Sequence, residues 1–135
     1  MADSRPSVSD AERDVLEVLW SHGPGGVRDV HGWLAEAGQQ WSRSTVVTLL
    51  QRLEKKGCVA ADKSNFAFHY RAVVTRDDLA DQRLRELAAE LYEGQAAPLL
   101  LAFARRQRFT RRELEEFRRL IDELDKGNKR GGKKS

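Results

Sequence analysis

The chain has 135 residues, 40% of them apolar and 33% charged, enough for one core with an appended helical segment and too little for a large enzyme. A single cysteine, Cys58, excludes an internal disulfide framework, and no long apolar run with signal-peptide flanks occurs, so a soluble, cytoplasmic protein with no membrane partner is expected. The net charge of +3 hides a local asymmetry: residues 1–42 hold three Arg against seven Asp and Glu, and residues 43–71 hold six Lys and Arg against Glu54 and Asp62.

Residues 1–8 read as a flexible arm. Ser9-Asp10-Ala11-Glu12 then spells a capping box, in which Ser9 and Glu12 satisfy each other's amides and start a helix. Ala11, Val15, Leu16, Leu19 and Trp20 give that helix an apolar stripe, and Gly23-Pro24-Gly25-Gly26 ends it. In residues 27–37, Val27, Val30, Leu34 and Ala37 keep helical spacing although Gly32 costs roughly 1 kcal/mol relative to Ala, and Gly38 closes the element.

After a short turn at Gln39 and Gln40, Ser42 is placed to cap a third helix, which Gly57 stops after Lys55 and Lys56. Val46, Leu49, Leu50 and Leu53 fall at i, i+3, i+4 and i+7 and fix one face to a core. The other face carries Arg43, Ser44, Thr45, Thr48, Gln51, Arg52 and Lys55, with carboxylates almost missing. Hydroxyl, amide and cationic donors are the groups that contact phosphates and major-groove base edges. These seven residues, with Lys63 further on, are the candidate DNA-binding set; on polar composition alone the alternative is an ordinary solvated helix face.

The periodicity then changes to two. Val59, a Lys63-Ser64-Asn65 turn, and Phe66, Phe68, Tyr70 and Ala72 alternating with Ala67, His69 and Arg71 predict a β-hairpin with a basic turn. Three helices followed by such a hairpin make a winged helix-turn-helix over residues 9–74. The predicted fold class is mainly α, that module followed by a helical dimerisation segment over residues 75–126.

In that segment Thr75 caps a helix with Asp77 and Asp78 in its first turn and Leu79, Leu84, Leu87, Ala88 and Leu91 along it; Gly94 to Pro98 interrupts. Leu99 to Phe103 begins a short apolar helix, and Thr110-Arg111-Arg112-Glu113 forms another capping box. Leu114, Phe117, Ile121 and Leu124 then make a narrow apolar seam, which with Leu84, Leu87 and Leu91 reads as half of a two-fold interface; the alternative is packing on the chain's own winged domain. Residues 127–135, Gly- and Lys-rich, read as a basic disordered tail.

No catalytic or metal chemistry is expected, and no cofactor. His22, His31 and His69 have no carboxylate or cysteine at a ligand spacing, and no nucleophile pattern or Gly-rich phosphate loop occurs. Cys58, flanked by Gly57 and Val59, reads as a small half-buried residue rather than a redox switch.

Several of these stretches carry a resemblance. Ser9-Asp10-Ala11-Glu12 with Val15 and Leu19-Trp20, Trp41-Ser42 with Thr45, Thr48 and Leu49, and Arg52-Leu53-Glu54-Lys55-Lys56-Gly57 resemble the BlaI/MecI family of β-lactamase and penicillin-binding-protein repressors. Tyr92-Glu93-Gly94, Leu99-Leu100-Leu101-Ala102-Phe103 and the Glu115-Glu116 helix are similar to that family's dimerisation segment. The resemblance implies a homodimer that binds double-stranded operator DNA as an inverted repeat and blocks transcription, with Arg43, Ser44, Thr45, Thr48 and Arg52 at recognition-helix positions. It also implies release by a regulatory protease at the bond matching Ala102–Phe103, where Ala102 stands in place of the family's Asn. The paired Cys-x-Cys of related copper-responsive repressors has no counterpart, since no cysteine follows Cys58. A winged-helix protein-interaction module and an effector-binding regulator with a pocket between helices are the alternative readings.

Overall fold

The first helix is set by its opening residues. The Ser9 hydroxyl accepts from the Glu12 amide at 3.1 Å and the Glu12 carboxylate accepts from the Ser9 amide at 2.9 Å, so the expected box forms and two orphan donors are satisfied. In the computed structural model, which describes residues 7–64 and 68–131, the elements are α1 (Asp10–His22), α2 (Val27–Glu36), α3 (Arg43–Lys55), β1 (Val59–Asp62), β2 (His69–Ala72), α4 (Arg76–Leu91), α5 (Ala96–Arg105) and α6 (Arg111–Gly131).

The core follows the helical stripes. Val15, Leu16, Val18 and Leu19 of α1, Val30 and Leu34 of α2, and Val46, Leu49, Leu50 and Leu53 of α3 are buried together with Cys58, Val59, Tyr70 and Val74. Burying one such Leu or Val contributes about 1.5–3 kcal/mol, and that fixes the orientation of each helix. Cys58 is fully buried rather than half-buried, because the chain turns inward after Gly57, whose φ of 80° ends α3.

The hairpin is antiparallel, with Val59 opposite Ala72 and Asp62 opposite His69. Its turn begins where Asp62 Oδ1 accepts from the Ser64 amide at 3.0 Å and the Ser64 hydroxyl at 2.7 Å. Phe68 does not join Tyr70 in the core: it precedes β2, is exposed, and lies under the Lys63 ammonium at 5.5 Å from the ring centroid. Asn65 and Phe66, expected in the turn and strand, lie outside the described residues.

The loop after α1 does more than stop a helix. Gly25 exchanges backbone hydrogen bonds with Tyr70, at 3.0 and 2.8 Å, and so extends the hairpin by an isolated bridge. A Cβ on Gly25 would fall 2.6 Å from Cη2 of Trp33, so any larger residue there must displace the Trp33 ring.

The structure revises three boundaries. Within the expected flexible arm, Val8 is buried in the core; Ser7 O accepts from Lys56 Nζ at 2.8 Å, and Ser7 Oγ donates to Glu86 at 3.0 Å. Long-range contacts that local sequence does not encode thus order the arm's end. Pro98 does not interrupt α5 but sits in its first turn, where an absent N–H costs no intrahelical bond. And α6 continues past Lys126 to Gly131, into the stretch expected to be disordered, since propagation adds a hydrogen bond per residue once the Thr110 box has nucleated the helix.

After Val74 the packing thins. A Thr75–Asp78 capping box starts α4, and a left-handed turn at Glu93 and Gly94 folds α5 back on it, burying Ala88 and Leu99. Leu84, Leu87 and Leu91 remain exposed. Every α6 residue from Arg111 to Asn128 is exposed, including Leu114, Phe117, Leu120, Ile121 and Leu124, of which Ile121 is 62% and Leu124 60% accessible. The edge of Phe109 against Phe117, at 4.9 Å between centroids, is the ring contact made there. Among the described residues, no part of the chain's own winged domain covers the seam.

Candidate nucleic-acid interface

The start of α3 is a cluster of hydroxyls on extended-to-helical backbone. Ser42, at φ −70° and ψ 161°, accepts from the Thr45 amide at 3.1 Å, and its Oγ lies 3.1 Å from Ser44 Oγ and 3.0 Å from Thr45 Oγ1. The first turn contains no acid, so the positive end of the helix dipole faces outward with donors around it.

With Val46, Leu49, Leu50 and Leu53 clamped to the core, Arg43, Ser44, Thr45, Thr48, Gln51, Arg52 and Lys55 are all exposed, as their spacing requires. Ser44, Thr45, Thr48 and Arg52 share one face and line a shallow, open depression with the edge of Leu49. Gln51 and Lys55, one turn apart, flank it. A helix of 13 residues is about 20 Å long and 10–12 Å across, which the major groove admits.

Lys63 is placed differently from the other seven. It stands at the hairpin turn with Nζ 3.3 Å from Glu54 Oε2 of α3, so part of its charge is already answered. The Ser64 hydroxyl and amide hold the neighbouring Asp62 carboxyl below its usual range. Two outward residues of β2 that stand outside the candidate set, His69 and Arg71, share one exposed face by strand alternation.

Lys56, counted in the basic stretch, points away from this face. Its ammonium lies 2.5 Å from Glu12 Oε1, and Glu12 is 1% accessible. Burial pushes the Glu12 carboxyl up, but hydrogen bonds from Lys56 and Ser9 outweigh it and leave the group below its ordinary value. The pair ties the start of α1 to the end of α3, which sets the angle at which α3 is presented.

Three packed helices, the third capped, acid-poor and held by its apolar face beside a two-stranded wing, define a winged helix-turn-helix protein. The chain belongs to the penicillinase repressor family, whose model matches residues 8–123, a family of transcriptional repressors and not of enzymes. It is 26% identical over 126 residues to the penicillinase repressor of Staphylococcus aureus, covering 93% of this chain and 99% of that one. It is 27% identical over 118 residues to the penicillinase repressor of Bacillus licheniformis, covering 87% and 91%. The methicillin resistance regulatory protein MecI of S. aureus is 26% identical over 115 residues, covering 85% and 93%. Among solved structures, the DNA-binding domain of the repressor BlaI matches 58% of this chain and 93% of its own at 33% identity, with a TM-score of 0.49. No helix among the described residues is long and apolar enough to cross a membrane.

Proposed function

We propose that two copies of the chain bind a two-fold symmetric operator in the cytoplasm, each setting α3 in the major groove, and that this binding represses the adjoining genes. Membership of the penicillinase repressor family makes the chain a DNA-binding transcriptional repressor. The observation that carries the mode of binding is the α3 face: seven exposed donor residues on a helix whose opposite side is locked in the core. Ser44, Thr45 and Thr48 read base edges, Gln51 supports them, and Arg43, Arg52, Lys55 and Lys63 meet phosphates. Arg71 adds a second cationic contact from the wing, with His69 beside it on the same exposed face.

Dimerisation is supported by the exposed stripe of α6, since an amphipathic helix that no described residue of its own chain covers gains by pairing with another. The Leu84, Leu87 and Leu91 edge of α4 continues the same interface. For relief of repression, scission at Ala102–Phe103 in α5 would detach α6, and the dimer would lose the effective-concentration advantage of two linked half-site binders. Phe103 is exposed, but the bond is helical and must unwind before a protease can grip it.

The test is duplex binding as a function of salt together with sedimentation. The full chain should sediment as a dimer and bind an inverted repeat taken from its genomic sites, with a salt slope set by the phosphate contacts. A chain truncated after Val74 should sediment as a monomer and hold single half-sites weakly. A monomeric full chain that binds inverted repeat and half-site equally would overturn the dimeric mode, and no salt-dependent duplex binding would overturn the DNA-reading face.

A further inference from the structure

Away from the α3 face, α1 and α4 leave a cleft of about 230 Å³ between the winged domain and the segment that follows it. Its floor is apolar, made by Val8, Trp20 and Leu79, and among the described residues its rim carries Arg13, Arg76 and Arg83 against one lining carboxylate, Glu17. Two of the arginines are paired with carboxylates and the third, Arg83, meets a backbone carbonyl. Arg76 Nη2 meets Glu17 Oε1 at 2.6 Å while its guanidinium lies 4.9 Å over the Trp20 ring; Arg83 Nη2 reaches Val8 O at 3.3 Å; Arg13 Nη1 reaches Asp10 Oδ1 at 3.4 Å. A guanidinium carries five N–H donors, and each of these contacts uses one edge of it.

We propose that this cleft binds a small organic carboxylate with an aromatic or branched apolar body. A cavity of roughly 150 Å³ is enough to hold benzene, so about 230 Å³ takes that body and one carboxylate. The mixture of apolar floor and few convergent cations is that of a small-molecule site. A bare inorganic anion leaves Val8 and Leu79 uncovered, and a neutral hydrocarbon strips water from the arginines' remaining N–H donors without offering them an acceptor. Because Arg13, Glu17 and Trp20 belong to α1 and Arg76, Leu79 and Arg83 to α4, a bound carboxylate ties the two helices together and fixes the angle between the reading head and the segment that follows.

The probe is benzoate, with benzamide as the uncharged body and inorganic phosphate as the charge without a body, titrated into the full-length chain. The readout is the Trp20 indole N–H resonance, assigned by its loss in Trp20→Phe; that N–H donates to Val74 O at 2.8 Å beside the cleft. Benzoate should shift it saturably with a Kd of about 1 mM or tighter, and benzamide and phosphate should respond at least about tenfold more weakly. Arg76→Gln and Arg83→Gln, both exposed and outside α3, should each weaken benzoate about ten- to hundredfold, while the Trp33 and Trp41 indole signals report an unchanged fold. No saturable shift at about 10 mM benzoate, an equal response to benzamide or phosphate, or undiminished binding by both variants overturns the site. None of these outcomes depends on DNA binding, so its failure is separable from that of the repressor reading.

Discussion

Replacing Lys56 by Met keeps the length and apolar stem of the side chain and deletes its charge, which isolates the Lys56–Glu12 pair at the junction of α1 and α3. Glu12 is 1% accessible and would keep its bond from the Ser9 amide but lose its counter-charge; Ser7 O would lose a donor as well. Removing one partner of a fully buried pair costs about 3–5 kcal/mol. The Lys56 side chain is 22% accessible, so water reaches the site and about 2–3 kcal/mol is the expected loss. For a chain of this size that lowers the unfolding midpoint by roughly 6–12 °C. The pH dependence has a definite sign. In the parent chain Glu12 sits below its ordinary value of 4.5, so its stabilisation is complete above that pH and is lost as pH falls through the folded value. In Lys56→Met burial acts with less opposition and raises the carboxyl, so the penalty is full at neutral pH and shrinks as Glu12 protonates in acid. Urea unfolding of both chains at matched concentration, at neutral pH and near pH 4, measures it. A loss under about 0.5 kcal/mol at neutral pH, or one that does not shrink in acid, refutes the reasoning. Adding Glu12→Gln to Lys56→Met should restore most of the stability by the same argument.

Other outcomes follow from the two faces of α3 and the bare face of α6. Thr48→Ala should weaken operator binding more than non-specific binding, whereas Lys55→Ala should weaken both and reduce the salt slope by about one unit; anisotropy titrations on operator and scrambled duplexes distinguish them. Ser42→Ala should cost about 1 kcal/mol in urea unfolding through loss of the α3 cap, and should also release the Ser44 and Thr45 hydroxyls from their shared position. Phe117→Glu with Ile121→Glu should yield monomers in sedimentation with an unchanged hairpin and core, because both residues are exposed in the single chain. Intact-mass analysis of protein from induced cells should show a fragment ending at Ala102; full-length protein released from its operator would rule proteolysis out.

Much of what near neighbours hold was legible in the sequence, though the first-turn place of Pro98 and the Gly26–Asp29 cap of α2 were not. The Ser9, Thr75 and Thr110 caps, the buried stripes of α1 to α3 and the outward set from Arg43 to Lys55 all follow from contacts within four residues, so periodicity and cap chemistry suffice to place them. The α6 stripe was equally legible, and its exposure matches the expectation that the chain alone cannot bury it. Tertiary structure decided what depends on partners far along the chain. Lys56 and Lys55 are adjacent and chemically alike, yet one is consumed by Glu12 and Ser7 while the other faces solvent, a difference set by how α1 crosses α3. Gly25 looked like a helix stop and forms an isolated bridge to Tyr70; Val8 looked like part of a loose arm and is core. The cleft between α1 and α4 has no sequence signal at all, because its arginines are spread from Arg13 to Arg83 and meet only when Trp20 and Leu79 pack. Local rules fix which residues share a face; burial and charge pairing between distant segments fix which of those faces remain open to bind.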